Sequence, residues 1–338
     1  MQTEKVWQLL DSSSIGGIET HVVHLSRELK ALRIPNQIVR LKSYGHHPVF
    51  DSQENRDLDS HCCSGIMDLI RLCVTTKPKV IHAHGTKACL VAKFLRVFTR
   101  QKIICTYHTG ETGVGLQGIY DRLNQLTAFI GHSIAVSDPI ASKLLGNNCR
   151  IDNFIPVPEY HEASKRKCIA FVGRLSHEKG PDRFLELCCL SPYLNFRIYG
   201  KGPLIEHLES IAPSNLQFVT DVSNMDSHWD EIDLLCITSR EEGLPLVALE
   251  AMARGICVVS FPVGGLPSLI EHGINGFLLE SQSVIQLNTF LQKYMELDAE
   301  HKSEIQINAR RVIQKRYSSE ALVPQINDLY RMVCKEAS

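Results

Sequence analysis

The feature that most constrains the fold is a regular alternation of short apolar runs with longer segments whose apolar residues fall at helical spacing. Residues 5–10, 80–84 and 102–107 are typical of buried strands, whereas residues 19–32 have the spacing of a helix. Strands that alternate with helices predict βαβ units and a parallel sheet. Because such sheets bind ligands beyond the carboxyl ends of their strands, we expect the functional residues in the loops that follow the strands.

The alternation is interrupted once and then restarts. Residues 155–167 are largely polar and contain two prolines, which is typical of a linker. Six further strand candidates follow, at residues 168–172, 196–199, 216–219, 234–237, 257–261 and 276–279. At roughly 100–200 residues per domain, a chain of 338 residues suggests two domains. We therefore predict an α/β chain with two Rossmann-like, doubly wound domains, residues 1–157 and 158–318, that face a central cleft.

Composition narrows the class of protein. A hydrophobic content of 44% and a charged content of 22% are ordinary for a globular protein, and the net charge of −1 gives no reason to expect nucleic acid as a partner. No apolar run approaches the ~18 residues that span a bilayer, and the polar N-terminus does not suggest a signal peptide. The 12 cysteines show no metal-type spacing, and several of them lie in apolar strand-like runs, which favours free thiols in a reducing cytoplasm over a disulfide framework.

Charge is distributed unevenly along the chain. Residues 1–150 carry a net charge of +6 and the remainder carries −7. This difference indicates either different partners for the two halves or chance variation among solvated surfaces.

The strongest functional signal is a pair of glutamates around a Gly-Leu-Pro turn. Glu242 lies in a loop after a buried strand, and Glu250 lies in the helix that the proline is predicted to open. The turn offers backbone N–H groups to an anion or to sugar oxygens, at Gly243, Leu246 and Val247. Because two carboxylates can accept hydrogen bonds from vicinal hydroxyls, the pair favours a sugar. The alternative is a capped helix with a solvated charge pair.

A second signal is a pair of cations in one short loop at the end of a predicted strand. Arg174 and Lys179 lie between the strand that ends near Gly173 and the helix that Pro181 opens. Both side chains have the length and charge to bind a diphosphate, where they would stabilise the negative charge that builds up on a leaving phosphate. The alternative is that both are ordinary surface cations.

Three weaker signals also follow predicted strands. Gly16 and Gly17 allow the backbone to approach a phosphate closely. His108 is a candidate hydrogen-bond donor to a sugar, although a histidine at a strand end is more often structural. Gly200 and Gly202 would let the backbone lie flat against a base, and a plain turn explains them equally well.

Two metal-like patterns are discounted. Asp57 and Asp59 form a DxD sequence in a polar stretch without predicted strands, so we interpret them as loop residues. His82 and His84 fall on one face of a strand, but the sequence shows no third ligand. We therefore predict no metal site.

Taken together and in this order, these segments resemble those of the GT-B glycosyltransferases, in particular the large retaining family 4. The family's E-x7-E motif matches Glu242 and Glu250, and its diphosphate-binding pair matches Arg174 and Lys179. The family's glycine loop, its histidine near the donor sugar and its turn near the base match Gly16 and Gly17, His108, and Gly200 and Gly202. The resemblance covers nearly the whole chain and is strongest from about residue 168 to residue 279.

The resemblance implies a division of roles between the two glutamates. Glu242 would hold the donor sugar, and Glu250 would hold the nucleotide ribose. The backbone that would assist Glu242 comprises Gly243, Leu244 and Leu246. By the same resemblance, Val263-Gly-Gly265 forms a turn that serves architecture more than chemistry, and a last helix near residues 319–338 crosses back onto the first domain.

The resemblance also implies an activity. The chain would transfer a hexose, with retention of configuration, from a nucleotide-sugar donor to a saccharide or lipid-linked acceptor, in a bacterial-type surface polysaccharide or lipopolysaccharide pathway. His108, Arg174, Lys179 and Glu242 would be the catalytic set, without a metal or another cofactor. Two alternatives stay open, namely a nucleotide-sugar epimerase on the same scaffold and a non-catalytic nucleotide-sugar-binding subunit.

One stretch raises a question of location. Residues 87–102 are basic and amphipathic, with Lys93, Arg96 and Arg100 at helical spacing beside apolar residues. Such a helix either lies on an anionic membrane or packs on its own sheet with its cations solvated. The prediction is a cytoplasmic protein with peripheral contact to a membrane.

Overall fold

The computed structural model describes residues 5–13, 16–99, 101–108, 115–160, 168–220, 222 and 225–335. The chain divides into two compact units. The first comprises Met1–Pro156 together with Ser319–Ser338, and the second comprises Val157–Ser318. Arg100, Glu111 and most of the predicted linker, residues 161–167, lie outside the described residues.

The described part of the first unit contains a parallel sheet of seven strands, in the order β3-β2-β1-β4-β5-β6-β7. The strands are β1 (Val6–Leu10), β2 (Asn36–Arg40), β3 (Ser60–Cys62), β4 (Val80–His84), β5 (Lys102–Tyr107), β6 (His132–Ala135) and β7 (Asn148–Arg150). The helices between them are α1 (Gly17–Ala31), α2 (Ile66–Thr76), α3 (Thr86–Thr99), α4 (Leu116–Leu126) and α5 (Asp138–Ala141). The central strands β1 and β4 are buried along their whole length, which explains their continuous apolar runs.

The described part of the second unit repeats this plan with six parallel strands, in the order β10-β9-β8-β11-β12-β13. The strands are β8 (Cys168–Val172), β9 (Phe196–Tyr199), β10 (Leu216–Val219), β11 (Ile232–Ile237), β12 (Cys257–Ser260) and β13 (Phe277–Leu278). The helices are α6 (Pro181–Leu190), α7 (Ile205–Ser210), α8 (Leu246–Ala253), α9 (Leu266–Leu269), α10 (Val284–Glu296) and α11 (Ala299–Val312). The prediction of two Rossmann-like, parallel-sheet domains is confirmed.

The C-terminal helix, Ser319–Lys335, belongs to the first unit although it follows the second along the chain. Its apolar face packs into a core with β1, β4 and α1, through Leu322, Val323, Ile326, Leu329, Tyr330 and Val333. Each such side chain contributes about 1.5–3 kcal/mol when it is fully buried. Pro324 lies inside this helix, beyond its first turn, and its missing N–H removes one intrahelical hydrogen bond.

A buried polar chain joins the C-terminal helix to the sheet. The Gln8 amide donates to the Tyr330 hydroxyl at 3.1 Å, and that hydroxyl is hydrogen-bonded to Nδ1 of His82 at 2.7 Å. The other ring nitrogen of His82 is hydrogen-bonded to Thr106 Oγ1 at 2.6 Å. Burial lowers the pKa of His82 to about 3, so the ring is neutral and can both donate and accept. A single hydroxyl therefore satisfies polar groups on two strands.

Replacement of that hydroxyl tests this role. Tyr330→Phe leaves the Gln8 amide and His82 Nδ1 without a partner, and each buried orphan costs about 1–3 kcal/mol. We expect the free energy of unfolding, measured by urea denaturation, to fall by about 2 kcal/mol or more. The control is Tyr193→Phe, since Tyr193 is 65% exposed. Equal stability of the two variants would contradict the account.

Candidate functional site

Two loops of the second unit meet at the carboxyl ends of the neighbouring strands β8 and β11. The loop after β8 contains a 3-10 turn, His177–Lys179, and ends at Gly180, whose φ is 65°. Thr238 Oγ1 donates to the Gly180 carbonyl at 2.8 Å, and a Cβ at Gly180 would lie 2.2 Å from the Thr238 carbonyl oxygen. Only glycine fits here, both in conformation and in space. The amide of Arg240 adds a third link by donating to the Glu178 carbonyl at 2.8 Å.

This junction brings Lys179 and Glu242 into a direct ion pair. The Lys179 ammonium donates to both oxygens of the Glu242 carboxylate, at 2.8 and 2.7 Å. Ser239 adds a hydrogen bond to Glu242 Oε1 at 2.7 Å. The Glu242 side chain is 6% exposed and that of Lys179 is 32% exposed. The sequence analysis assigned these two residues separate ligands and did not foresee their pairing, nor the part played by Ser239.

Arg174, the second predicted cation, lies in the same loop. Its side chain is exposed, and its carbonyl accepts a hydrogen bond from the Ser176 amide at 3.0 Å. The arginine is therefore available to an anion at the carboxyl end of β8, beside the half-buried lysine.

A glycine pair supports the Glu242 loop from behind. A Cβ at Gly264 would lie 2.2 Å from the Glu242 carbonyl oxygen, and the Gly265 amide donates to the Gly243 carbonyl at 2.5 Å. The backbone of the turn at residues 263–265 therefore lies directly against the predicted sugar-binding loop. The sequence analysis interpreted this turn as structural rather than catalytic. The contact shows that the turn supports the loop that contains Glu242.

Helix α8 begins directly after this loop. Pro245 occupies its N-cap position, one residue before the place predicted, and Gly255 follows the helix with a φ of 64°. Gly243, Leu244 and Leu246 are buried, whereas Val247 is half-buried. The amide groups of the first turn of a helix have no intrahelical partner, so the N-terminus of α8 offers hydrogen-bond donors beside Glu242.

Glu250 lies in the middle of α8, whose other side chains are apolar and mostly buried. The residue is half-buried, and none of the hydrogen bonds among the described residues reaches its carboxylate. Burial raises the pKa of Glu250 to about 7, and the nearby Arg254 acts in the opposite direction. A carboxylate without donors in an apolar helix is well suited to accept hydrogen bonds from ligand hydroxyls.

The predicted glycine turn after β9 packs on the loop after β8. A Cβ at Gly200 would lie 2.0 Å from the Gly173 carbonyl oxygen, and one at Gly202 would lie 2.4 Å from the Leu175 carbonyl oxygen. The Leu175 amide donates to the Lys201 carbonyl at 3.0 Å. These glycines therefore allow two loops to touch through their backbones, which positions the cation loop.

In the first unit, the predicted glycine loop leads into α1. Gly16 is the extended N-cap residue and Gly17 begins the helix. Sequence reasoning missed Glu19, whose carboxylate lies so close that a Cβ at Gly16 would be 2.8 Å from its Oε2. Burial raises the pKa of Glu19, with a hydrogen bond to Ser12 acting against the shift. This acidic side chain works against a phosphate at the same helix end whenever it is ionised.

His108 lies directly after β5 and is half-buried. One of its ring nitrogens, Nε2, is 3.3 Å from Nδ1 of His84. Burial lowers the pKa of His108 to about 4, against a hydrogen bond with Asn153, so the ring is neutral at pH 7. The residue can therefore hydrogen-bond to a sugar, but it supplies no fixed positive charge.

His108 and His84 line a cavity of about 420 Å³ at the carboxyl ends of β1, β4 and β5. Much of its remaining wall is polar and includes Asp11, Tyr44 and Lys87. The Asp11 carboxylate binds the Lys87 ammonium at 3.0 Å and the Tyr44 hydroxyl at 3.1 Å. A larger cavity of about 670 Å³ lies in the second unit at the amino ends of β8, β9 and β10, the edge that parallel sheets do not use for ligands.

Two surface predictions need comment. Lys93, expected on a basic helix face, is 4% exposed, and its ammonium donates to the Asn124 side chain at 2.6 Å and to the Tyr107 hydroxyl at 3.0 Å. Its assignment to a membrane-facing surface was therefore wrong, because the ammonium is enclosed by acceptor groups of α4 and β5.

Asp57 and Asp59 lie in a loop, as predicted, and pair with Lys30 and Lys5.

Comparison with known proteins assigns the family. The model of the group 1 glycosyl transferases matches residues 157–312, and the model of glycosyltransferase family 4 matches residues 15–152. The chain belongs to the group 1 glycosyltransferases, of GT-B type. The first match lies within the second unit and the other lies within the first unit, so the family assignment of this chain rests on both units.

Curated relatives agree with this assignment. The O-antigen biosynthesis glycosyltransferase WbnH of Escherichia coli is 32% identical over 134 residues, which are 39% of each chain. The capsular polysaccharide biosynthesis glycosyltransferase CapM of Staphylococcus aureus is 21% identical, over 94% of this chain and 97% of that protein. The relatives that match at 32% identity are covered only in part, and the chain spans about two-fifths of their length.

A solved structure shares the fold. Anabaena Alr3699/HepE, in a crystal structure with UDP-glucose, superposes with a TM-score of 0.83 at 17% identity, over 97% of this chain and 99% of that one. Within the described residues of this family member, no helix is both long and apolar enough to cross a bilayer.

The raised pKa of Glu250 predicts a pH-dependent stability. The folded chain holds this proton with a pKa of about 7 and the unfolded chain with an ordinary value of 4.5, so folded protein binds more protons between these values. The free energy of unfolding therefore falls as the pH rises from 4.5 to 7. Glu250→Gln should raise it by about 1–3 kcal/mol at alkaline pH and leave it unchanged in acid, as urea denaturation would measure.

The matched control is Glu241→Gln, since Glu241 is exposed in the loop before α8. This variant should follow the wild-type pH profile throughout. A Glu250→Gln profile parallel to that of the wild type would show that Glu250 is not held in its protonated form.

Proposed function

We propose that the chain is a retaining glycosyltransferase that moves a sugar from a nucleotide-sugar donor to a saccharide or lipid-linked acceptor in surface polysaccharide assembly. The observation that carries the proposal is the buried Glu242 carboxylate held by Lys179 beside the N-terminus of α8. The printed names of the relatives, an O-antigen and a capsule glycosyltransferase, support the pathway class.

The ion pair holds side by side two groups that would both bind the nucleotide-sugar donor. In the absence of ligand, Lys179 compensates the charge of a carboxylate that is 6% exposed. An arriving diphosphate competes for the more exposed lysine, and Arg174 in the same loop can share the charge. The Glu242 oxygens then become free to accept hydrogen bonds from sugar hydroxyls. Phosphate binding and sugar binding would thus be coupled through one contact.

The same cations serve the chemistry of bond cleavage. When the bond between sugar and phosphate breaks, negative charge accumulates on the leaving diphosphate. Lys179, Arg174 and the N-terminus of α8 stabilise this charge more strongly in the transition state than in the ground state. We infer that no carboxylate of the chain acts as a nucleophile and that the transfer step needs no metal.

Glu250 is the proposed ligand of the ribose. Its carboxylate accepts no hydrogen bond from the described residues, and two vicinal hydroxyls would provide the donors that it lacks. Because hydroxyl donors favour the ionised form, nucleotide binding should lower the pKa of Glu250 from about 7. Binding would accordingly weaken as the pH falls below neutrality.

The polar cavity of the first unit is the proposed acceptor site. Its wall combines a carboxylate, a tyrosine hydroxyl and an ammonium, namely those of Asp11, Tyr44 and Lys87, with the neutral His108. Such a mixture of donors and acceptors suits saccharide hydroxyls, and a volume of about 420 Å³ is in the range of small-molecule sites.

The donor proposal is tested by a thermal-shift panel of UDP-, GDP- and ADP-sugars, followed by turnover measured as release of nucleoside diphosphate. A ligand at 100 times its dissociation constant stabilises a protein by about 2.7 kcal/mol. We expect one nucleotide class to stabilise the wild type. Glu250→Ala should weaken nucleotide binding at least 10-fold, whereas Glu242→Gln should lower turnover at least 100-fold without weakening nucleotide binding, because it removes the carboxylate that competes for Lys179.

Glu241→Gln is the control for both glutamates, because it removes an exposed carboxylate of the same loop. Lys179→Met should weaken binding of a nucleoside diphosphate more than binding of the nucleoside. Absence of a shift with every donor would overturn the enzyme proposal, and binding without turnover in the presence of saccharide and lipid-linked acceptors would identify a non-catalytic subunit. Full turnover in Glu242→Gln would refute the role given to Glu242.

We also propose a peripheral contact between the first unit and an anionic membrane. Helices α3 and α4 contact each other and expose apolar side chains, which are Phe94, Val97, Phe98, Leu116, Ile119, Tyr120, Leu123 and Leu126. The exposed cations Lys87 and Arg122 lie on the same two helices. Because a lone apolar residue on a surface is ordinary but a continuous patch marks an interaction site, these helices are the proposed contact.

Sedimentation with anionic vesicles at low salt tests the contact. Phe98 is 69% exposed, and its insertion would contribute about 1.5–3 kcal/mol, so Phe98→Asp should weaken binding at least 10-fold. The matched control is Ile285→Asp on α10, since Ile285 is 61% exposed in the other unit. Failure of the wild type to sediment, or equal binding by both variants, would refute the contact.

A further inference from the structure

Three histidines from separate elements of the first unit converge beside the proposed acceptor cavity. His21 lies on α1, His84 ends β4, and His108 follows β5. One nitrogen of each lies within 4.8 Å of the others. The ring centroid of His21 is 5.6 Å from that of His84 and 4.9 Å from that of His108.

The hydrogen bonds of His84 fix which of its nitrogens carries the lone pair. The Gln8 amide nitrogen donates to Tyr330, so the Gln8 oxygen must accept from Nε2 of His84, at 2.8 Å. Nδ1 of His84 is then unprotonated and lies toward His108. A histidine that binds a metal is usually oriented in this way, by an outer partner that holds its other N–H.

His21 has no hydrogen-bond partner among the described residues that would account for its buried ring nitrogens. The residue is 3% exposed. Buried polar groups are nearly always paired, and an unpaired one costs about 1–3 kcal/mol. The imidazole lies against the two other rings instead, so a shared ligand at the centre of the three would satisfy it.

The spacing fits a tetrahedral metal ion. Two nitrogens at the usual zinc–nitrogen distance of about 2.0–2.1 Å are about 3.3 Å apart in a tetrahedron. Nδ1 of His84 and Nε2 of His108 are already 3.3 Å apart. Because the three nitrogens lie within 4.8 Å of one another, His21 would need to approach by up to about 1.5 Å, a shift that a turn of its side chain can supply.

Access to the site also fits. Two of the three ligands line the cavity of about 420 Å³, which provides an entry path.

We propose that His21, His84 and His108 form a site for a divalent metal ion of the zinc class, with three nitrogen ligands and a fourth position that opens toward the cavity. Sequence reasoning paired His84 with His82 and found no third ligand. The structure excludes His82, because its two nitrogens are bonded to Tyr330 and Thr106. The other ligands come from α1 and from the end of β5.

The site is additional to the proposed transfer reaction, which uses no metal. Coordination would occupy Nε2 of His108, so zinc should inhibit transfer in proportion to the occupancy of the site. This consequence rests on the proposed function, whereas metal binding itself does not.

Cobalt(II) titration of the full chain tests the site, because tetrahedral cobalt absorbs visibly and its charge-transfer band reveals any sulfur ligand. We expect one equivalent bound with visible bands and no sulfur band. His21→Gln should weaken binding at least 100-fold. His24→Gln, on the same helix, is the matched control and should bind as the wild type does.

Two further variants keep the test decisive. Cys63→Ser removes the sulfur from the other described cluster with metal-type ligands, His61, Cys63 and Asp68, and should leave the nitrogen-only spectrum intact. Gln8→Leu keeps all three imidazoles but removes the partner of His84, so affinity should fall about 10–100-fold. Absence of the nitrogen-only spectrum in the wild type, or equal affinity in His21→Gln, would overturn the proposal whether or not the chain transfers sugar.

Discussion

The loop after β8 lies so close to the end of β11 that no side chain fits between them. Gly180 is the residue that makes this contact, and the Thr238 hydroxyl fixes it with a hydrogen bond of 2.8 Å. The proposed pairing of a cation with the sugar-binding carboxylate follows from this approach. The approach places Lys179 within reach of Glu242, although the two are 63 positions apart in the sequence. A wider gap would leave a carboxylate that is 6% exposed without its counter-charge.

In the first unit, hydrogen bonds between polar side chains position the site, as close backbone contacts do in the second unit. Tyr330 links Gln8 to His82, and Gln8 in turn holds His84 at the carboxyl edge of the sheet. The C-terminal helix therefore does more than cover apolar surface. Through Gln8 it also helps to orient His84, which lines the cavity beside His108, so a residue near the end of the chain supports a site built from residues near its beginning.

Sequence periodicity predicted the long buried strands well, because such strands need continuous apolar runs. The short edge strands β3 and β7 were missed, since their residues are largely polar. These residues are recognised as strands only because they pair with a neighbouring strand. Helix α4 was also missed, although its apolar residues have helical spacing. The apolar side chains of α4 are exposed rather than packed on the sheet, and the sequence analysis did not identify this helix.

Lys179, Glu242 and His108 were recognisable one by one, because each lies in a loop that follows a strand. Their partners were not, because pairing depends on which strands are neighbours. Adjacency of β8 and β11 joins Lys179 to Glu242, and adjacency of β4 and β5 joins His84 to His108. Lys93 shows the converse, since a cation at surface-like spacing is enclosed by groups that come from α4 and β5.

The central claim is that Lys179 and Glu242 form one unit that a diphosphate opens. A double-mutant cycle of unfolding free energies, with Lys179→Met and Glu242→Gln, measures the coupling between them directly. The account predicts a coupling of about 1–3 kcal/mol in buffer that falls toward zero with saturating nucleoside diphosphate, because the phosphate takes over the lysine. A coupling that is unchanged by the nucleotide would contradict it.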